Sequence, residues 1–344
     1  MRGFGWVRAV RGSGSGWTDP AGSSDRSESF MPLNQAFIGR EFAASTPFLV
    51  GREHIRQFAR AIGDPNPLYH DLEAARTAGY PDLVAPPTFL VAAIPGELGL
   101  PIGDPAFGMD FSLIVHGEQR FSLSRPVVAG DELTAVTTLT GLRTVATNEV
   151  LTAGYDFRAT TGEPVATGLC GLISRGTADP TAGPVRVEVP APAAPGEPES
   201  APRASTVRYD EVEIGAELPA GSFRLRRADL VRYAGTSGDF NPIHWNEKVA
   251  AEVGLPGVIA HGMLTMATAG RVVTDWAGDP GAICEYGVKF SSPVVVPNDD
   301  TGALVEVRGT VEKKLDGNRV VVNLVVRCDG NKVLMAARAT ARLA

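Results

Sequence analysis

Apolar positions recur at helical spacing twice in this chain, in two places that match residue for residue. Ile55, Phe58, Ala59 and Ile62 make one stripe, and Leu230, Tyr233 and Ala234 make the other. Spacing of three and four residues puts each set on one face of a helix. Both stripes stop at Gly-Asp, at Gly63-Asp64 and at Gly238-Asp239. Glycine suits a helix C-terminus there, and aspartate suits the start of the next turn. Short helices are expected over Leu72–Thr77 and Glu247–Val253, then longer ones over roughly Thr88–Gly96 and Gly262–Trp276. The pattern then changes to alternating or β-branched runs: 118–128, 132–142, 149–159 and 164–174, and again 286–296, 303–315, 319–328 and 332–344. Asn-Asp and Asp-Gly turns separate the later set, which marks them as strands. A long helix followed by antiparallel strands predicts an α+β layer with the sheet packed on that helix.

The two copies stand in one register, 175 residues apart, with no gap from Gly51 and Arg226 onward. Gly63, Asp64, Asn66 and Pro67 fall on Gly238, Asp239, Asn241 and Pro242, and Gly79, Pro81 and Ala85 on Gly254, Pro256 and Ala260. Chance does not preserve special backbone positions in this way, so one unit is written twice. Between the copies, residues 178–206 are dense in Pro and Ala and have little to bury, which reads as an extended linker. The expected organisation is an extension (1–30), a first domain (31–177), the linker (178–206) and a second domain (207–344). Residues 1–30 are rich in Gly, Ser and Arg and lack the apolar core of a signal peptide, so disorder is expected there.

Composition narrows the class. The 344 residues, 44% hydrophobic and 21% charged, suffice for two soluble globular domains. A net charge of -7 argues against a nucleic-acid binder. No run approaches the ~20 apolar residues that span a bilayer, so no membrane partner is expected. Cys170, Cys284 and Cys328 are odd in number and far apart. That fits a reducing cytoplasm without a disulfide framework, each thiol acting as a small hydrophobe.

Candidate chemistry concentrates in the second copy, in the string Ser237-Gly238-Asp239-Phe240-Asn241-Pro242-Ile243-His244 and in Ala260-His261-Gly262-Met263. Proline at 242 drives Asn241 out of the helical region, so the chain bends between Asp239 and His244. Such a bend can bring an acid and a base to one pocket with a water between them. Gly262 opens the long helix, where backbone N–H groups lack internal partners and the dipole is positive. Each residue also has an ordinary use: Asp239 as an N-cap, His244 as a satisfied core polar group, His261 as a capping contact. The combination of acid, base and open helix terminus favours chemistry over those uses.

Residues 233–263 closely resemble the signature of the MaoC-like, R-specific enoyl-CoA hydratases, a hotdog-fold family. The first copy resembles the dehydratase domain of type I fatty-acid synthases. The pair looks like a single-chain form of the actinobacterial heterodimeric (3R)-hydroxyacyl-ACP dehydratase. The resemblance implies a double hotdog and a (3R)-hydroxyacyl-thioester dehydratase or trans-2-enoyl-thioester hydratase of acyl-chain biosynthesis. It implies Asp239 and His244 as the catalytic pair, Asn241 as support of the turn, and Gly262 as donor to the thioester carbonyl. Ser237 and His261 are expected beside them at the substrate. The partner is acyl-CoA or an acyl carrier protein, and the assembly a monomeric pair or a homo-oligomer. No metal or redox cofactor is expected, since no ligand cluster or dinucleotide fingerprint is present. Competing readings are a catabolic or polyester-linked enoyl-CoA hydratase and a non-catalytic acyl-thioester-binding module.

The first copy keeps Asp64, but Tyr69 stands at the position of His244, with His70 displaced by one residue. Pro86 and Pro87 replace His261 and Gly262, and proline has no N–H to donate. That half is expected to be silent and to serve as scaffold and as a wall for the acyl chain. Arg271, Lys289, Arg120 and Arg125 are candidates for a phosphate group or, more simply, solvated charges. His54 and His116 have no chemical neighbours in the sequence and are expected at the surface or a strand end.

Overall fold

In the computed structural model, which describes residues 32–94, 99–101, 104–110, 113–176, 185–186 and 205–344, each apolar stripe becomes a helix with that stripe buried. Helix α1 (Arg52–Ala61) buries Ile55, Phe58 and Ala59. The chain leaves it through Gly63 at φ 67°, a left-handed setting that costs glycine nothing sterically. Two short helices follow, α2 (Pro67–His70) and α3 (Leu72–Thr77). The second half repeats the course. Helix α4 (Arg227–Ser237) buries Leu230, Tyr233 and Ala234 and ends at Gly238, φ 79°. A 3₁₀ turn at Pro242–His244 then leads to α5 (Glu247–Glu252). Asn66 and Asn241 share φ −52° and ψ 122°. Each caps its turn with its own carboxamide oxygen, which accepts from Leu68 N or Ile243 N.

The halves diverge at the next element. Helix α6 (Gly262–Ala277) is long and buried on nearly every side, which accounts for its small and apolar sequence. Among the described residues its counterpart, expected over Thr88–Gly96, is a 3₁₀ segment at Phe89–Ala93. Pro95 is the reason: the residue before proline avoids the helical region, and Ile94 is extended at ψ 125°.

Twelve strands among the described residues form one antiparallel sheet. The short pieces β1 (Glu41–Ala43) and β2 (Phe48–Leu49) lie on β4. The first half supplies β3 (Ile114–Leu123), β4 (Glu132–Val145), β5 (Asn148–Ala159) and β6 (Pro164–Ser174). Strand β7 (Val185–Arg186) pairs with Gly141 and Leu142 of β4, so the stretch read as linker donates two residues to the sheet. Residues 178–184 and 187–204 of that stretch, and the whole extension 1–30, lie outside the described residues. The second half supplies β8 (Gly221–Leu225), β9 (Ile283–Phe290), β10 (Ala303–Leu315), β11 (Arg319–Cys328) and β12 (Asn331–Arg342). The runs expected to continue to 128 and 296 stop at Leu123 and Phe290. Beyond them Pro126 and Pro293 cannot donate to a ladder.

The order β1-β4-β5-β6-β3-β9-β12-β11-β10-β8 makes β3 and β9 the seam. Register runs from Glu118↔Lys289 to Ser122↔Glu285. The halves also meet through α1 and α4, where the Phe58 and Tyr233 rings lie 5.7 Å apart, a contact worth about 0.5–1.5 kcal/mol beyond its buried area. Against expectation, His54 belongs to this interface: its Nε2 lies 2.7 Å from Thr236 O on α4. Tyr80 crosses as well, its hydroxyl donating to Asp279 Oδ1 at 2.7 Å.

Candidate active site

Two breaks in helix bring the candidate residues of the second half together. The Gly238 exit turns Asp239 back over the end of α4, where its Oδ1 accepts from Asn241 N at 3.1 Å. The Asn241-Pro242 bend then carries His244 to the same place, with Nε2 3.8 Å from Asp239 Oδ2. His261, the residue before α6, stacks on the His244 ring at 3.8 Å and 27°. Its Nε2 donates to Asp239 O at 3.1 Å, so it holds the backbone beneath the carboxylate. Gly262 is the next residue and the first of α6.

The proton inventory follows from the partners. His244 Nδ1 lies 2.9 Å from Ile259 O, and a carbonyl can only accept, so Nδ1 carries the proton. In the neutral ring Nε2 then presents a lone pair. Burial lowers the His244 pKa below 6.5 against the opposing pull of Asp239, so the ring is neutral at pH 7. Burial pushes the Asp239 carboxyl up, but the His244 and His261 imidazoles and the Asn241 N–H outweigh it and leave it below the ordinary value. Two acceptors therefore face each other at 3.8 Å. They cannot bond to one another, and a water or a substrate hydroxyl between them can donate.

Asp239, His244 and His261 also offer ligand atoms within 4.8 Å of one another. An ion bound by two imidazoles must lie in both ring planes at about 2 Å from each nitrogen. Rings stacked at 3.8 Å and 27° have planes that meet well beyond that reach. The cluster suits proton transfer better than metal binding.

Ser237 and Asn241 brace the loop. The Ser237 hydroxyl donates to Tyr233 O at 2.7 Å and accepts from Asp239 N at 3.3 Å. Its hydroxyl is thus engaged within its own loop. The Asn241 oxygen caps the 3₁₀ turn. Phe290, which the sequence did not single out, and His116, expected at the surface or a strand end, also border the site. A Cβ added to Gly262 would meet the Phe290 ring at 3.0–3.2 Å, and Phe290 lies against His116, ring centroids 4.8 Å apart. The only sequence hint was Gly117 interrupting a strand-like run, which is a bulge signal.

The corresponding place in the first half is closed. Asp64 Oδ1 accepts from Asn66 N at 3.0 Å, repeating the Asp239 bond. Its side chain is 1% exposed, against 31% for Asp239. Burial raises its pKa in spite of Asn66 and Arg271. Arg271, far from any phosphate role, is inserted here from α6 with Nε 3.9 Å from Asp64 Oδ2. Tyr69 fills the His244 position, wholly buried. A cavity of about 10 Å³ remains among Asp64, Tyr69, Pro87, Thr88, Arg271 and Tyr286, room for roughly one water. His70 Nε2 donates to Asp64 O at 2.9 Å, the bond that His261 makes to Asp239 O in the other half. The other candidate cations have ordinary settings: Arg125 pairs with Asp131 and Glu163, Lys289 with Glu118, and Arg120 is exposed.

Residues 36–168 match the model of the FAS1-like dehydratase domain region, and residues 193–327 match that of the MaoC-like domain. A solved structure described as a MaoC-like dehydratase is 32% identical, with a TM-score of 0.80, over 90% of this chain and 99% of its own. The chain belongs to the MaoC-like dehydratases. Among curated relatives, a UPF0336 protein of Parafrankia sp. is 66% identical over 150 residues, 44% of this chain and 99% of the relative. One of Streptomyces avermitilis is 44% identical over 145 residues, 42% of this chain and 97% of the relative. A Mycobacterium tuberculosis protein described as a double hotdog fold overlays 89% of this chain at TM-score 0.63 and 15% identity, which bears on architecture alone. This MaoC-like dehydratase is accordingly a hydro-lyase with two tandem hotdog units. Among the described residues no helix is long and apolar enough to cross a membrane.

Proposed function

We propose that this protein interconverts (3R)-3-hydroxyacyl and trans-2-enoyl thioesters, carried on CoA or an acyl carrier protein, at Asp239, His244 and Gly262. The reading rests on one observation: a carboxylate and an imidazole lone pair face each other at 3.8 Å beside the open end of α6. In hydration, the water between them loses a proton to this pair as its oxygen attacks C3. The pair returns a proton to C2, so that H and OH are added and nothing else is consumed. In dehydration the C2 proton is taken and the C3 hydroxyl leaves protonated as water. In both directions charge gathers on the thioester oxygen, and the Gly262 N–H receives it, a donor worth about 3–4 kcal/mol in such sites. No metal or redox group is required by these steps.

Crotonyl-CoA hydration tests this, followed as loss of the enoyl-thioester ultraviolet absorbance. Activity in the wild type and its collapse in Asp239→Asn is the expected result. Binding without hydration would favour an acyl-thioester-binding module, and release of free thiol would favour a thioesterase. Full activity in Asp239→Asn would overturn the assignment.

A further inference from the structure

His116 reaches the proposed site from the half that has no reaction centre of its own. Its strand, β3, pairs with β6 through His116↔Leu172 and then Glu118↔Gly171, which leaves Gly117 unmatched. A bulge of this kind re-aims the neighbouring side chain. Glycine eases the crowding at the bulge, because a Cβ on Gly117 would lie 3.1 Å from the Ile173 side chain and 3.3 Å from Gly171 O.

The imidazole so aimed is clamped. Its Nε2 lies 3.1 Å from Gln119 Oε1 and 3.2 Å from Cys170 Sγ. The Gln119 amide is oriented by its own bond from Nε2 to Arg120 O at 3.3 Å. The imidazole ring packs against Phe290 at 4.8 Å and 53°. Phe290 in turn covers Gly262 so closely that any side chain there would strike it. Burial brings the His116 pKa down to about 4, against the raising effect of the Asp239 carboxylate, so the ring is uncharged near neutral pH.

We propose that His116 is a positioning residue of the dehydratase site, fixing the Phe290 ring that governs how a thioester oxygen meets the Gly262 N–H. The proposal rests on the site assignment above and adds that the site is incomplete without the silent half.

Steady-state hydration of crotonyl-CoA by the full-length protein tests it. His116→Ala is expected to lower kcat about tenfold, the scale of a small misplacement of reacting groups, with KM changed less than twofold. Phe290→Leu should lose a similar factor. The double variant should lose no more than the worse single, because both changes act on one ring. His116→Phe, which restores a ring against Phe290, should bring kcat back to within about threefold of wild type. If His116→Ala does not fold, His116→Asn takes its place with the same expectation. Wild-type kcat in the folded variant overturns the proposal, as do losses that multiply in the double variant or a rise in KM alone. An inactive Asp239→Asn beside a fully active His116→Ala removes this inference only, whereas an active Asp239→Asn removes the site assignment itself.

Discussion

Asp64 and Asp239 sit on loops of the same shape, yet the Asp239 side chain is partly exposed and that of Asp64 is buried. Both follow a left-handed glycine, both accept from the asparagine two residues on, and both precede an Asn-Pro bend with identical dihedrals. In each loop an imidazole also clasps the aspartate carbonyl, but its source differs, His261 in one and His70 in the other. Where the first half has Pro86 at the position of His261, His70 makes the structural bond, and Tyr69 stands at the position of His244. The difference teaches that loop shape and reactivity are specified by separate residues. What sets the proposed centre apart is the second imidazole, the amide at 262 and the greater exposure of its carboxylate.

That comparison can be broken most directly at the acids and bases. Asp239→Asn and His244→Ala are each expected to lower kcat by about 10²-fold or more, the usual weight of a general acid or base. Asp64→Asn and Tyr69→Phe should leave it within about twofold, since neither side chain touches the proposed chemistry. Equal losses from both sets in the crotonyl-CoA assay would end the distinction. Gly262→Pro imports the first half's own residue. Proline fits the first turn of a helix but removes the donor and also crowds the Phe290 ring, so kcat should fall by about 10²–10³ while circular dichroism keeps the helical signal; Gly262→Ala, which crowds the ring but keeps the N–H, should lose less.

Stability sharpens the other side of the comparison. Arg271→Met leaves Asp64 buried without a counter-charge, which should cost about 3 kcal/mol at pH 7 by denaturant unfolding. Asp64 has a raised carboxyl pKa, so the folded state takes up its proton sooner than the unfolded chain. The penalty should therefore shrink as pH falls through that raised value, and Asp64→Asn in the same chain should relieve it at pH 7. The smallest expected effect is on pH dependence. Hydration needs His244 Nε2 unprotonated, and burial lowers that pKa. The acid limb of kcat/KM should lie below pH 6.5, with rate lost as pH falls; a limb centred above 6.5 would contradict the neutral ring.

Much of this was legible in the sequence because it is local. The stripes at 55–62 and 230–234, the Gly-Asp exits and the Asn-Pro bends are set by neighbours within a few residues, and the structure repeats them. The missing helix after Thr88 was also locally determined, since Pro95 restricts Ile94, but the periodicity of Phe89–Ala93 outweighed it in the reading. His116 was not legible, because its meaning depends on a pairing with β9 that nothing near it announces. Arg271 was misread for the same reason: its partner Asp64 lies 207 positions away in the other half. The swap of His70 for His261 was visible only as a one-residue displacement.

The seam between β3 and β9 has a consequence for synthesis. When the first half has left the ribosome, β6 is already beside β3, while residues 283–290 have still to be made. Until they arrive, the free side of β3 is an unpaired edge, the kind of surface that invites pairing with another chain. The interval between the two halves is then the period of greatest risk of aggregation, and closing the seam ends that exposure as it delivers His116 to Phe290.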